Sequence, residues 1–263
     1  MSRQSLKNVM RLIDVAHDNT PIEKSFLSDL KRSIELEAGK ERRKGSNYYK
    51  PSSMNCIRSM FYVRTNANAD TSNMSYTGVG ICNAGTDIHE RIQGYVSHMI
   101  DNGMPCEYVD VGSFIKSRGL KNVEIVLKTG YETKLFHKTL NMSFMLDGII
   151  KYKDKYFVLE IKSETASKWI VRDSVDVAHY KQATAYSIAT ELDNVIFIYV
   201  NRDTLDMKAF LFTPADDMKE DFIGLIEECE EHVKKLLVPN KSKDVTRKTC
   251  QYCNYASQCR KDA

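Results

Sequence analysis

Apolar residues recur along this chain at two different intervals, which predict helices and strands respectively. Three- and four-residue intervals run from about 77 to 102, from 176 to 192 and from 214 to 237, as on one face of a helix. Residues 1–45 are highly charged but carry a similar apolar stripe, and a shorter helical segment follows Ser52. The pattern predicts helices in these five regions, the first of them a helical N-terminal extension.

Between the helices, apolar and β-branched residues form shorter runs that are typical of strands. The predicted strands cover residues 108–111, 123–128, 144–152, 156–162, 195–200 and 207–212. Helices before, between and after such strands are typical of the α/β class, with a mixed sheet flanked by helices. We expect this fold over residues 46–263.

Three charged residues interrupt the two central predicted strands. Asp147 lies in the first strand, and Glu160 and Lys162 lie in the second, each among apolar neighbours. Burying a charge is costly unless the charge is paired or coordinates a metal. The pattern alone is compatible with a metal site and with a simple ion pair between Glu160 and Lys162.

The turn between these strands decides whether the two acids can meet. A two-residue turn at Lys153 and Asp154 places Asp147 opposite Glu160, with Lys162 on the same face. A three-residue loop would shift the register and turn the two acids to opposite faces. Because the segment lacks the Asn-Gly signature of a tight hairpin, the sequence leaves the register open.

The composition says more about the structural class of the protein than about its binding partners. The chain has 263 residues, 42% hydrophobic and 28% charged, which suits one α/β domain with additions or two small domains. The net charge of +3 does not indicate nucleic-acid binding, and basic clusters at 40–44 and 241–248 are more typical of solvated surfaces. With no apolar run near the ~20 residues of a membrane helix and no signal-peptide pattern, we expect a cytoplasmic protein.

The seven cysteines, an odd number in a chain expected to be cytoplasmic, argue for metal ligation rather than disulfides. Cys250, Cys253 and Cys259 lie close together in a polar tail, and Cys56 lies far upstream. Four thiolates suit either tetrahedral zinc or an iron-sulfur cluster. The other three, Cys82, Cys106 and Cys229, have no ligand spacing, and we expect them to be ordinary thiols.

Further residues complete a recognisable order of motifs. His89 precedes Asp147, Glu160-x-Lys162 follows it, and Gln182 and Tyr186 share one face of the later helix. This order resembles the RecB-type branch of the PD-(D/E)XK nucleases over residues 50 to the C-terminus. The resemblance implies a restriction-endonuclease-like core.

The cysteines extend the resemblance. One cysteine before the core and three after it is similar to the Cas4-like and AddB-like nucleases. In those families four such cysteines hold a [4Fe-4S] cluster, which implies this cofactor at Cys56, Cys250, Cys253 and Cys259. We expect a structural role for it, and zinc remains the alternative.

The resemblance implies a role for each site residue. Asp147, Glu160, the carbonyl of Ile161 and His89 would bind Mg²⁺ or Mn²⁺, and Lys162 would orient water or stabilise charge at phosphorus. Gln182 and Tyr186 would position DNA or neighbouring groups. Glu124 could add a metal ligand. The residues that could hold DNA are Lys168, Trp169, Arg172 and Lys181.

The implied activity is that of a DNA exonuclease acting on single-stranded ends or unwound duplex. Such proteins function in recombination, end processing or CRISPR spacer acquisition, and a phage or microbial origin fits. The sequence has no Gly-x4-Gly-Lys-Ser/Thr loop, so unwinding would require a helicase partner. Two alternatives stay open: a non-catalytic DNA-end-binding module and a zinc-stapled structure-specific endonuclease.

Overall fold

The strands of this chain form two sheets in a computed structural model that describes residues 21–40, 47–70, 74–243 and 245–262. The eight strands are β1 (Cys106–Val109), β2 (Val123–Thr129), β3 (Glu132–His137), β4 (Met142–Leu146), β5 (Gly148–Tyr152), β6 (Lys155–Glu164), β7 (Val195–Asn201) and β8 (Met207–Phe212). One sheet has the order β1-β5-β6-β7-β8, in which only β6 and β7 are parallel, and the other is an antiparallel β2-β3-β4 sheet.

Helices precede, separate and follow the strands along the chain. They are α1 (Ile22–Lys40), α2 (Ile57–Arg64), α3 (Tyr76–Ser97), α4 (Val111–Arg118), α5 (Ala166–Ile170), α6 (Tyr180–Thr190), α7 (Asp216–Lys235), α8 (Arg247–Gln251) and α9 (Ala256–Lys261), with 3₁₀ turns at Pro51–Ser53 and Val177–His179. Among the described helices, none is long and apolar enough to cross a membrane. The mixed sheet with flanking helices confirms the predicted fold class.

The five-stranded sheet has a hydrophobic layer on each face because alternate residues of β6 point to opposite sides. Val158 belongs to one buried cluster, with residues of α2, α6 and α7. Leu159 and Ile161 belong to the other, with Ile88 and Ile92 of α3. The long helix and the later helices therefore cover opposite faces of the sheet.

The β5–β6 hairpin has the two-residue turn on which the sequence argument depended. Lys153 and Asp154 both have positive φ, +48° and +64°. This backbone geometry matches the right-handed twist of the flanking strands. Gly148 pairs with Leu159 and Tyr152 with Lys155, the register that a two-residue turn requires. The predicted hairpin register is confirmed.

Two local predictions need correction. The strand expected at 108–111 ends at Val109, because Asp110 caps α4 and accepts a hydrogen bond from the Ser113 amide at 2.8 Å. Gly119, with φ +66°, then ends that helix. The apolar run at 144–152 is likewise two strands rather than one, divided at Asp147.

The chain divides into two compact units. The smaller contains Met1–Lys44 and Ser72–Asn83, and the larger contains Gly45–Thr71 and Ala84–Ala263. Within the smaller unit, the Glu35 carboxylate accepts a hydrogen bond from the Tyr76 amide at 2.9 Å, and Lys31 lies over the Tyr76 ring. The proposed boundary at residue 45 remains a prediction, and residues 1–20 and 41–46 lie outside the described residues.

Candidate metal centre

Asp147 occupies the point where the chain passes from one sheet to the other. It follows β4 and precedes β5, and it is 5% exposed. Its Oδ2 accepts a hydrogen bond from the Ile161 amide on β6 at 2.7 Å. Its Oδ1 lies 3.3 Å from Nδ1 of His89 on α3. The carboxylate therefore connects β6 with the long helix.

Glu132 joins these residues from the other sheet. One potential ligand atom from each of His89, Glu132 and Asp147 lies within 4.8 Å of the other two. Oxygen and imidazole nitrogen are suitable ligands for a divalent cation such as Mn²⁺ or Mg²⁺. We call these three residues the His89–Glu132–Asp147 cluster.

Sequence reasoning missed Glu132 and considered Glu124 instead. Glu124 is half exposed and forms an ion pair with Lys138 at 2.6 Å. Glu132 begins β3, a strand that the sequence did not predict, directly after the β2–β3 turn at Gly130. The signal was present but short: the buried Thr133, Leu135 and His137 alternate with half-buried residues, and Gly130 marks the turn.

A second network lies around Glu160. Its Oε1 contacts the Lys162 ammonium and accepts a hydrogen bond from Gln182 Nε2 at 2.8 Å. Lys162 also donates to Gln182 Oε1 at 3.0 Å. Gln182 Nε2 donates to the Tyr186 hydroxyl at 2.6 Å, which in turn donates to the Met145 carbonyl at 2.8 Å. The four residues Glu160, Lys162, Gln182 and Tyr186 form one connected group, the Glu160 network.

One oxygen of this network has no partner. Glu160 is 2% exposed, and its Oε2 forms no hydrogen bond with the described residues. Burial, followed by the nearby Asp147 charge, raises the pKa of Glu160 to about 7, although Lys162 and His89 act to lower it. A buried carboxylate oxygen without a donor is costly unless a proton or a cation satisfies it.

The pKa values of His89 and Glu132 are also raised by the neighbouring carboxylates. Burial lowers the pKa of His89, but the hydrogen bond to Asp147 and the charges of Asp147 and Glu160 outweigh it, so the net shift is upward. Burial raises the pKa of Glu132, and the Asp147 charge adds to that effect. Asp147 therefore lies close enough to both Glu132 and Glu160 to repel them, and a divalent cation would relieve this repulsion.

The predicted nuclease residues are thus grouped by the fold. His89 and the Ile161 amide both contact the Asp147 carboxylate, and Glu160 lies close enough for its charge to raise the pKa of His89. Lys162, Gln182 and Tyr186 surround Glu160. Their roles in metal binding and catalysis remain predictions, to which the geometry adds Glu132.

The residues predicted to hold DNA have different environments. Lys168 is exposed on α5. The Trp169 indole donates to the Tyr199 carbonyl at 2.9 Å, with the Lys208 ammonium above its ring, and Lys181 donates to the Met54 carbonyl at 3.4 Å. Trp169 therefore packs against the sheet, the use that sequence alone favours for a single tryptophan.

Arg172 has a full set of intramolecular partners. Its guanidinium donates two hydrogen bonds of 2.7 Å to the Glu164 carboxylate and one of 3.0 Å to Asp176. It also lies 4.4 Å from the centre of the Tyr199 ring. A bidentate pair of this kind holds the segment after β6 against the sheet. Its predicted contact with DNA remains a prediction.

The chain brings the four predicted cluster cysteines into one region. Burial raises the pKa of Cys253, and the charges of Cys56, Cys259 and Cys250 raise it further. All four thiols are half-buried. The guanidinium of the buried Arg58 lies 3.7 Å from Cys259 Sγ, where it can offset thiolate charge.

Backbone and side-chain contacts hold the two ends of the larger unit together near these thiols. Arg58 donates to the Pro239 carbonyl at 2.7 Å, and the Asp70 amide donates to the Asn254 carbonyl at 2.6 Å. The Tyr62 hydroxyl donates to Asp262 at 2.7 Å. Of the remaining cysteines, Cys106 and Cys229 are buried and Cys82 is exposed.

Comparisons with known proteins give a limited result. No protein-family model matches the chain, and no curated protein matches it. Among solved structures, the crystal structure of SSO0001 is similar over 90% of this chain and 98% of its own, at 15% identity and a TM-score of 0.45. An alkaline exonuclease (LHK-Exo) from Laribacter hongkongensis is similar over 73% and 92% of the two chains, at 13% identity and a TM-score of 0.43.

The same exonuclease in complex with dAMP is similar over 72% of this chain and 91% of its own, at 14% identity and a TM-score of 0.41. Similarity at this level assigns no residue and no activity to this chain. The chemistry of the site itself has to support the function.

Proposed function

We propose that this protein is a divalent-metal-dependent nuclease that hydrolyses phosphodiester bonds in DNA. The observation that carries the proposal is the buried, unpartnered Oε2 of Glu160, beside Asp147 and with the Lys162 ammonium on the same carboxylate. A buried carboxylate oxygen without a hydrogen-bond partner is costly in the metal-free protein, so it favours a bound cation.

The donor atoms fit Mg²⁺ or Mn²⁺. His89, Glu132 and Asp147 offer one nitrogen and two carboxylates within 4.8 Å of one another. Glu160 and the carbonyl of Ile161 complete the candidate ligand set. When bound, such a cation supplies charge neutralisation at phosphorus and a more acidic water. The nitrogen ligand favours Mn²⁺ slightly over Mg²⁺.

The protein's own groups supply orientation and charge. Lys162 is held by Glu160 and Gln182, which fix the position of its ammonium, and its side chain is 21% exposed. We assign it to stabilising the charge that develops on the phosphate or to orienting the attacking water. Gln182 and Tyr186 hold Glu160 and Lys162 in place through their shared hydrogen bonds.

We further propose exonuclease action on single-stranded ends or unwound duplex, with Lys168, Trp169, Arg172 and Lys181 nearest to the DNA. This part is supported by the resemblance to RecB-type nucleases rather than by a contact in the structure. The same resemblance supports cytoplasmic action in recombination, end processing or spacer acquisition, beside a helicase partner.

The four cysteines Cys56, Cys250, Cys253 and Cys259 are proposed to hold a structural [4Fe-4S] cluster. Their mutual electrostatic effect on Cys253 and the buried Arg58 beside Cys259 support a shared thiolate site. Thiolates alone suit zinc as well. Visible absorbance with iron content matching one cluster per chain would support the proposal, and colourless protein with one equivalent of zinc would reject it.

The nuclease proposal is tested with end-labelled linear DNA and covalently closed circular DNA, each with Mn²⁺, Mg²⁺ or EDTA. We expect metal-dependent release of nucleotides from linear DNA, with closed circles left intact. Glu160→Gln should abolish cutting while DNA binding persists. If linear DNA stays intact with either metal while the protein binds its ends, the non-catalytic binding module is the better account. Cutting of closed circles would instead favour the zinc-stapled endonuclease.

A further inference from the structure

The backbone carbonyl of Asp147 accepts hydrogen bonds from two side chains. Gln93 Nε2 donates to it at 2.7 Å, and the Tyr108 hydroxyl donates to it from β1. Gln93 is 2% exposed, an unusual burial for an amide. Such a group persists in a core only where its hydrogen bonds are needed. Asp147 is therefore held through its backbone as well as through its carboxylate.

These two donors belong to the segments that carry the other candidate ligands. Gln93 follows His89 by four residues, one turn further along α3. The Tyr108 hydroxyl also lies 3.0 Å from the carbonyl of Tyr131, the residue directly before Glu132. Because a hydroxyl has one proton, it donates to one of these two carbonyls at a time. Gln93 thus bonds the helix bearing His89 to the Asp147 peptide, and the Tyr108 hydroxyl lies between the Asp147 carbonyl and the segment bearing Glu132.

Gly148, directly after Asp147, leaves room for the Tyr108 ring. A Cβ atom added at Gly148 would lie 2.5 Å from the Tyr108 hydroxyl oxygen and 2.7 Å from its ring carbon Cζ. The tyrosine could not approach a larger residue in this position. Glycine is therefore required here for space, since its φ is not among the positive values.

We propose that Gln93 and Tyr108 are positioning residues for the metal centre. They fix the Asp147 peptide at the crossing between the two sheets and thereby hold His89, Glu132 and Asp147 at ligand distance. Asp147 lies outside both flanking strands, so strand pairing alone does not fix its orientation. Supporting hydrogen bonds of this kind commonly decide metal affinity. The inference rests on the proposed nuclease function and names the residues that preorganise its metal site.

The test uses the whole protein with Mn²⁺ as the probe. Tyr108→Phe removes one hydroxyl, and Gln93→Met removes the amide with little change in shape. Tyr156→Phe is the matched control, because Tyr156 is a half-buried tyrosine of the same sheet that contacts Phe114 and not Asp147. The Mn²⁺ dissociation constant is measured by calorimetry. We expect it to rise about 10-fold in each positioning variant and to stay unchanged in the control.

A second readout separates positioning from general damage. In Tyr108→Phe the Mn²⁺ concentration for half-maximal cutting should rise by about the same factor, while the turnover at saturating Mn²⁺ and the KM for DNA stay close to those of the wild type. Gly148→Ala should weaken Mn²⁺ binding similarly, and its effect should shrink in a Tyr108→Ala background because both changes act on one contact.

The outcomes are distinguishable. Wild-type protein that neither binds Mn²⁺ nor cuts DNA would overturn the proposed function itself. Wild-type protein that does both, with Mn²⁺ affinity in Tyr108→Phe and Gln93→Met equal to that of Tyr156→Phe, would overturn only the positioning role. If Gln93→Met does not fold, Tyr108→Phe alone decides between these outcomes.

Discussion

The candidate metal centre and the cysteine region differ in how their negatively charged groups are accommodated. In the metal centre, the buried Asp147 and Glu160 lie beside the half-buried Glu132, and one buried Glu160 oxygen has no hydrogen-bond partner among the described residues. In the cysteine region, the thiols are half-buried and the chain segments around them already share several hydrogen bonds. A bound cation would relieve the repulsion between the carboxylates in the first region. In the second region, a cluster or zinc ion would crosslink two chain segments that are distant in sequence. Removing the ligand should therefore affect activity in one region and stability in the other.

The largest effect that this contrast predicts is on catalysis. Lys162→Ala should lower the cutting rate at saturating metal by about 10²–10³-fold, because a fixed cation beside the reacting phosphate is lost. The measurement is single-turnover cleavage of labelled DNA. Lys155→Ala is the matched control, an exposed lysine at the opposite end of the same strand. Equal losses in the two variants would contradict the assignment of Lys162.

The cysteine region should instead respond in stability. Cys259→Ala should remove the visible absorbance of a cluster and lower the free energy of unfolding by several kcal/mol, on the order of other lost structural ligands. Absorbance spectra and chemical denaturation measure the two effects. Cys82→Ser, outside the proposed ligand set, should change neither. A Cys259 variant with unchanged colour and stability would show that the two regions do not differ in this way.

Without metal, the stability of the protein should depend on pH because Glu160 is buried beside Asp147. The pKa of Glu160 in the folded state, about 7, lies above its ordinary value of 4.5. The folded protein therefore binds this proton more tightly than the unfolded chain. Its contribution to stability is complete below pH 4.5 and is lost as the pH rises through 7.

Glu160→Gln should remove that dependence. In EDTA, the variant should be more stable than the wild type at pH 8 by up to about 3 kcal/mol, and the difference should vanish near pH 4.5. Denaturant unfolding across this range measures it. Glu124→Gln, which neutralises an exposed carboxylate, should follow the wild type. A wild-type and Glu160→Gln difference that is flat with pH would argue against the buried charge.

The smallest expected effect concerns the ligand that the sequence missed. Glu132→Gln should weaken Mn²⁺ binding by about 10-fold, since one of several ligands loses its charge, while the fold is retained. Calorimetry with Mn²⁺ measures it, and Glu124→Gln should bind as the wild type does. Unchanged affinity in Glu132→Gln would leave Glu132 as a bystander to the metal.

Local features of the fold were predictable, and long-range ones were not. A two-residue turn was one of the two registers that the sequence allowed for β5 and β6, and it could be weighed because the two strands are adjacent in sequence. Glu132 could not be placed, because it reaches Asp147 from another sheet through a short strand with a weak alternation. His89 and the Gln182–Tyr186 pair were identified through resemblance rather than through geometry.

Surface charge was the least predictable property. Arg172 looked available for DNA, yet its guanidinium is bound to Glu164 and Asp176. Nothing in the spacing of these residues distinguishes a free arginine from a paired one, since the turn after α5 brings them together. The hydrogen bonds of Gln93 were invisible for the same reason, because its acceptor is a backbone carbonyl 54 residues away.

The crossing at Asp147 has a consequence for folding cooperativity. Its neighbours β4 and β5 belong to separate sheets that could otherwise open independently. A cation held by Glu132 of one sheet and by Asp147 would couple the opening of the two. Amide hydrogen exchange in β3 and β4 should then slow on addition of Mn²⁺, in proportion to the fraction of protein with bound metal. The metal would thus make the two sheets open together as well as take part in the chemistry.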